Sequence, residues 1–297
     1  MKVIICEDPW KEYFLGHDTG FGNRLIYWGL AYELMLKLGR DWSIGVYVDQ
    51  YPELKYLRFP KTHIIEKKPL NKDIEIIKLK KLNSILKENY KPKKETISLE
   101  YEYNFNISGY DYHLGQHLPK INLKDKILVK RVKEFVSELY TVHIRRGNGI
   151  YTTLENIFTI PKKYQKYYIP ENNSNFIKNK KGIWELSDAI NTTYKFPLDK
   201  DIYKVLKTFP SDEKFYISTD MPEAAVGYYK TKFKNRIFLA SDFLKANKIK
   251  PLVKGKDTFL NILDFFMLVY SKGIICSKAS QWSDTASYVN LNKRIYY

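Results

Sequence analysis

Short apolar runs alternate along the chain with stretches whose apolar positions recur every three to four residues, the pattern of strands interleaved with helices. Residues 3–6 predict a first strand. A loop carrying Gly16, Gly20 and Gly22 follows, through Asn23. It leads into an amphipathic helix over residues 24–38 that Gly39 closes. Residues 44–48 predict a second strand, ending at Asp49-Gln50. Residues 51–119 are less regular, with prolines, lysine clusters and one strand at 96–103.

The second half is cleaner. A helix is expected over residues 124–137 and a strand over 139–144, which runs into Arg145-Arg146-Gly147-Asn148-Gly149. Residues 151–199 are rich in Asn, Lys and Tyr and read mostly as loop. Helix 201–208 then precedes strand 214–218, a helix from Pro222 precedes strand 236–239, and helix 258–270 precedes strand 273–276. Residues 277–281 open a last helix to about residue 289. Alternation of this kind predicts α/β layering in two Rossmann-like halves, with a boundary within 120–138 and domains of 1–125 and 126–297. In open α/β sheets ligands bind beyond the carboxyl ends of the strands, so the residues just past those ends carry the chemistry.

Composition narrows the class. At 297 residues, 44% hydrophobic and 15% aromatic, the chain can bury sizeable cores and is not a disordered or low-complexity sequence. No apolar run is long enough to span a membrane, and Met1–Cys6 is too short for an export signal, so a soluble, cytoplasmic protein is expected. Cys6 and Cys276 each lie in an apolar run and predict buried free thiols. The net charge of +17 suits a phosphate-bearing partner, whether nucleic acid, anionic membrane or nucleotide-sugar. The excess is almost all lysine, with eight arginines in the chain, and an AT-rich genome explains such a bias equally well.

Arg145 and Arg146 follow a strand directly, beside Gly147 and Gly149; two guanidiniums there suit a diphosphate. Ser280-Gln281 lies between a strand and a helix, where Ser280 either caps the helix or offers its terminus to an anion. Asp220 ends a strand. Asp264 sits among Ile262, Leu263, Phe265 and Phe266, where a carboxylate is costly to bury unless paired or ligand-bound; a solvated helix face is the plain alternative. Asp199-Lys200-Asp201 reads as a helix start rather than a metal site. Walker A, Gly-x-Ser-x-Gly and Cys-x-x-Cys patterns are absent.

Taken in order, these patches resemble the fucosyltransferase superfamily of GT-B glycosyltransferases, which includes the α1,2-, α1,6- and protein O-fucosyltransferases and the nodulation fucosyltransferase. Val142-His143-Ile144-Arg145-Arg146 matches its His-x-Arg-Arg motif, and Phe21-Gly22-Asn23-Arg24 resembles its N-terminal loop and helix. The strand end at Ser218-Thr219-Asp220 resembles its Ser/Ala-Thr-Asp. Ile262-Leu263-Asp264 followed by Cys276-Ser277-Lys278-Ala279-Ser280-Gln281 is similar to the C-terminal motif of the α1,6 enzymes.

The resemblance implies a GT-B architecture of two Rossmann-like domains with a cleft between them, a GDP-fucose donor, inversion at the anomeric carbon, and neither cofactor nor required metal. It implies that Arg145 grips the β-phosphate, that His143 and Asp264 face the guanine, and that Ser280 and Gln281 hold the diphosphate. Arg146, Gly22, Asn23 and Asp220 would line the donor–acceptor site, and Glu155 offers the general base if a short insertion is allowed.

Two positions depart from the pattern. The Asp expected after His-x-Arg-Arg-x is Asn148, which cannot act as a base, and the Gln of the N-terminal loop is Arg24. Neither the coiled-coil stem nor the SH3-like module of the core enzymes is present, which points to a bacterial or viral glycan made on the cytosolic side. The expected partners are a nucleotide-sugar and a glycan acceptor, with no nucleic acid and with room for peripheral membrane contact. The rival readings are a GT-B enzyme with another donor, a nucleic-acid-binding protein suggested by the Lys–Tyr interleaving of residues 162–168, and a non-catalytic glycan-binding module.

Overall fold

The computed structural model describes residues 2–7, 21–47, 49–66, 69–100, 121–144, 176–178, 184–186, 199–219, 226–249, 258–276, 281–290 and 294–297. The chain forms two compact units, Met1–Val129 with Asp284–Leu291, and Lys130–Ser283 with Asn292–Tyr297.

The first unit holds β1 (Lys2–Ile5), α1 (Phe21–Leu38), β2 (Trp42–Val46), β3 (Leu57–Arg58), β4 (Thr62–Ile64), β5 (Ile74–Lys78), α2 (Leu82–Lys87), β6 (Thr96–Glu100) and β7 (Asn122–Leu123). Five strands pair in parallel in the order β4-β2-β1-β6-β5, and β3 pairs antiparallel with β7. The central strand β1, of sequence Lys-Val-Ile-Ile, is buried from Val3 onward, as a strand covered on both faces requires. Helix α1 is buried from Arg24 to Met35 apart from the half-buried Glu33, so it behaves as a core helix rather than a surface one. Gly39 ends it at φ +112°, a left-handed conformation that favours glycine, with its N–H bonded to Met35 O at 3.0 Å. Gly45 in β2 leaves room for the side chains of Val3 on the neighbouring β1 and of Ile65 just past β4: a Cβ there would lie 2.9 Å from Val3 Cγ2 and 2.7 Å from Ile65 Cγ1.

Helix α3 (Lys126–Val136) leads from the first unit into the second. There follow β8 (Tyr140–Ile144), a two-stranded antiparallel pair β9 (Phe176–Lys178) and β10 (Trp184–Leu186), α4 (Asp199–Lys207), and β11 (Phe215–Thr219). Short helical turns over residues 226–236, β12 (Ile237–Phe238), α5 (Ala240–Ala246), α6 (Thr258–Tyr270), β13 (Gly273–Cys276) and β14 (Arg294–Tyr296) complete it, while α7 (Gln281–Asn290) belongs to the second unit through Ser283 and to the first from Asp284. The second parallel sheet has the order β12-β11-β8-β13-β14, so β8 is its centre. Two parallel five-stranded sheets with helices make the α/β class expected from the alternation.

Several boundaries differ from expectation. Helix α1 starts at Phe21, taking in residues 21–23 that the glycines mark as loop. The irregular stretch contains β4, β5 and α2, short elements whose apolar positions are interrupted by lysines. Helix α5 and strand β14 are further elements that the pattern did not announce. The expected helix start at Asp199-Lys200-Asp201 is the first turn of α4. Cys6 and Cys276 are both buried free thiols.

Candidate functional site

The middle strands of the second unit sort their side chains by alternation. From β8, Val142 and Ile144 enter one core with Phe215 and Ile217 of β11, Ile202 and Leu206 of α4, and Ile275 of β13. The intervening positions turn to the other face, beneath α6. Thr141 Oγ1 donates to Met267 O of α6 at 3.4 Å, and Tyr216 and Ser218 both reach Asp264 of the same helix. The strand register sets Thr141 level with Tyr216 and His143 level with Ser218. One side of two adjacent, buried strands is therefore polar, which is costly unless each group is satisfied.

Asp264 is where those groups converge. Tyr216 Oη donates to Asp264 Oδ1 at 2.6 Å, and Ser218 Oγ makes a very short bond to Oδ2. The carboxylate is half-buried on a helix whose neighbours Ile262, Leu263, Phe265 and Phe266 are fully buried. It is not the solvated face that a lone Asp suggests: two hydroxyl donors to an ion are strong bonds that offset its partial burial. Tyr216 is itself fully buried. Burial and then the charge of Asp264 push its hydroxyl well above the usual tyrosine range, so it stays a donor.

His143 is buried on β8, the register neighbour of Ser218. Its ring stacks on Trp282, with centroids 6.4 Å apart and planes 23° from parallel. Trp282, in the first turn of α7, packs edge-on against Phe265 of α6 at 5.5 Å. Tyr297 Oη donates to the His143 carbonyl at 2.6 Å, tying the end of the chain to the same strand. Asp264, Ser218, Tyr216, His143 and Trp282 thus form one polar and aromatic cluster near the carboxyl ends of β8 and β11. Of the residues singled out in the sequence, His143 and Asp264 are linked through Ser218, the register neighbour of the first and a hydrogen-bond partner of the second.

Gln281 begins α7, and Gly22 and Asn23 lie in the first turn of α1; of their side chains nothing is described. Arg145, Arg146, Asn148, Glu155, Asp220 and Ser280 lie outside the described residues, as do most of the expected loop 151–199 and residues 222–225 of the helix expected from Pro222, whose later part is the run of helical turns over 226–236. Tyr216, Ser218 and Trp282 were missed. The signal for the first two was present, as hydroxyls two residues apart in an otherwise apolar strand. In the first unit, Arg24 turns out to be buried against Glu53.

Charge is divided unevenly. The second unit carries 29 Lys+Arg against 15 Asp+Glu, a net +14, while the first carries 21 against 18, a net +3. No helix among the described residues is long and apolar enough to cross a membrane.

No family model matches the chain, and no curated protein matches it by sequence. Solved structures do. The fold is the α/β GT-B type of the fucosyltransferases. The NodZ α-1,6-fucosyltransferase soaked with GDP-fucose aligns over 97% of this chain and 92% of its own, with a TM-score of 0.52 at 10% identity. Fucosyltransferase NodZ from Bradyrhizobium aligns over 100% and 96%, with a TM-score of 0.50 at 11% identity. POFUT1 in complex with GDP-fucose aligns over 100% and 97%, with a TM-score of 0.51 at 8% identity. The likeness is one of fold.

Proposed function

We propose that the chain is an inverting glycosyltransferase that moves fucose from GDP-fucose to a hydroxyl of a glycan acceptor, with no required metal. The second unit would hold the nucleotide and the first unit the acceptor side. The observation that carries the reading is the Asp264 carboxylate, a half-buried anion gripped by Tyr216 and Ser218 beside the stacked His143, on a fold shared with fucosyltransferases. An oriented carboxylate suits the N1–H and 2-amino donors of guanine, and the buried imidazole supplies a second surface for the base. The net +14 of the same unit favours the approach of a nucleoside diphosphate.

In this reading the acceptor oxygen attacks the anomeric carbon from the face opposite the phosphate. The new C–O bond forms as the C–O bond to the β-phosphate breaks, and GDP leaves with the electron pair. Arg145 stabilises the charge growing on the β-phosphate, with Ser280, Gln281 and the helix N-terminus contributing donors. Arg146, Gly22, Asn23 and Asp220 orient donor and acceptor. Glu155 takes the acceptor proton, because Asn148 cannot. Cytoplasmic residence and an acceptor on the cytosolic side complete the proposal.

Incubating the protein with radiolabelled GDP-fucose and following transfer or slow hydrolysis tests it. Release of GDP that survives EDTA and disappears in Arg145→Ala supports the reading. A folded protein that leaves GDP-fucose intact, with and without glycan acceptors, overturns it.

A further inference from the structure

We propose that Tyr216 and Ser218 are positioning residues that fix the Asp264 carboxylate in the one orientation able to accept two adjacent donors from a ligand base, and that this pair sets selectivity for guanine. The inference rests on the nucleotide reading above and gives the two hydroxyls a role in choosing the base.

The geometry is specific. Tyr216 and Ser218 are two residues apart on one strand, so both point to the same face, and each hydroxyl takes a different oxygen of the one carboxylate. A carboxylate on a helix otherwise turns about χ2, which for an Asp is a soft torsion with a broad distribution. Bonds to both oxygens from a buried strand remove that freedom. Each carboxylate oxygen has about two acceptor sites, of which each hydroxyl takes one.

Burial and the charge of Asp264 hold the Tyr216 hydroxyl protonated well beyond the usual tyrosine range, so it remains a donor. In the nucleotide reading the Asp264 carboxylate offers a ligand base acceptors only, and selection follows from that. Guanine presents N1–H beside a 2-amino group, two donors for two oxygens. Hypoxanthine lacks the amino group and makes one bond. Xanthine sets a carbonyl oxygen against an anion and is repelled. A site built to bond a polar group discriminates strongly against analogues that lack it.

Calorimetric titration of the full chain with GDP, inosine diphosphate, xanthosine diphosphate and inorganic pyrophosphate tests the pair. The wild type is expected to bind GDP at least about tenfold more tightly than inosine diphosphate and to reject xanthosine diphosphate. In Tyr216→Phe the GDP affinity falls about tenfold and the ratio of GDP to inosine diphosphate collapses towards one, while pyrophosphate affinity is unchanged. Ser218→Ala, which touches the other oxygen with a smaller loss of packing, moves the same ratio in the same direction and serves if Tyr216→Phe does not fold. A wild type that fails to bind GDP overturns the nucleotide reading. A wild type that prefers GDP, with a folded Tyr216→Phe or Ser218→Ala that keeps the wild-type ratio, overturns the positioning pair alone.

Discussion

Arg24 and Glu53, 29 positions apart, close a two-point ion pair inside the first unit: Arg24 Nε donates to Glu53 Oε2 at 3.3 Å and Nη2 bonds Oε1. Their exposures are 7% and 1%. The pair joins the first turns of α1 to the turn after β2, Pro52–Lys55. It gives Arg24, the position where this chain departs from the Gln of its resemblance, a structural task. Removing Arg24 strands the Glu53 carboxylate in the interior, which costs about 3–5 kcal/mol. Arg24→Gln is expected to lower the urea unfolding free energy by about that much. The double variant Arg24→Met/Glu53→Leu should lie closer to wild type, because the stranded carboxylate is removed as well.

Gly45→Ala addresses the crowding of β2 by side chains of its neighbouring strands in the first sheet. The added methyl meets Ile65 and Val3 at distances no real Cβ tolerates, so β2 or those side chains must shift. Overpacking of this kind costs about 1–3 kcal/mol, read as a lower melting temperature with unchanged far-UV circular dichroism.

Asp125 caps α3, its Oδ1 accepting from the N–H groups of Ile127 at 2.8 Å and Leu128 at 3.0 Å. Asp125→Ala leaves those groups to water and is expected to cost about 1 kcal/mol, measured by chemical denaturation. Asp125→Asn keeps an acceptor and should recover most of the loss.

How much of this was legible in the sequence depends on what decides each element. Helix α6 and strand β13 have the bounds expected of them, since β13 is wholly apolar and α6 largely so, with seven of its residues buried. The start of α1 was hidden because Gly22 looks like a loop residue, whereas tertiary burial of the helix overrides its weak helix preference. Strands β4 and β5, at the two edges of the first sheet, are only partly apolar and carry the exposed Ile64 and Ile76; edge strands lack the alternation that marks a half-buried strand. Asp264 could be flagged by its apolar neighbours, but its partners could not. Tyr216 and Ser218 lie 48 and 46 positions away, and only the strand register and the placement of α6 bring them to it.

The buried tyrosines set an alkaline limit to stability. Tyr216 is held well above the ordinary value of 10.0 by burial and Asp264, and Tyr47 is pushed up to about 12 by burial and the charges of Glu7 and Asp49. A raised folded-state value means that the unfolded chain loses its protons first. The contribution is therefore complete below about pH 10 and is lost as pH rises from there towards the folded-state values. Unfolding free energies measured between pH 8 and 11 should be flat and then fall above about 10. The fall should be shallower in Tyr216→Phe, which has no proton to lose there. An equal fall in both proteins would show that Tyr216 ionises normally in the fold.

Nucleotide selectivity lies at the centre of the account, and the melting temperature reads it directly. With ligand at about 100 times Kd, one-site binding to the folded state adds about 2.7 kcal/mol, a rise of several degrees for a chain of this size. Melting curves should be recorded with GDP, GDP-fucose, UDP and ADP at matched concentration. The account predicts a rise with GDP and GDP-fucose, none with UDP or ADP, and loss of the GDP effect in Asp264→Ala. Equal shifts with all four nucleotides, or a GDP shift that Asp264→Ala leaves intact, would contradict it.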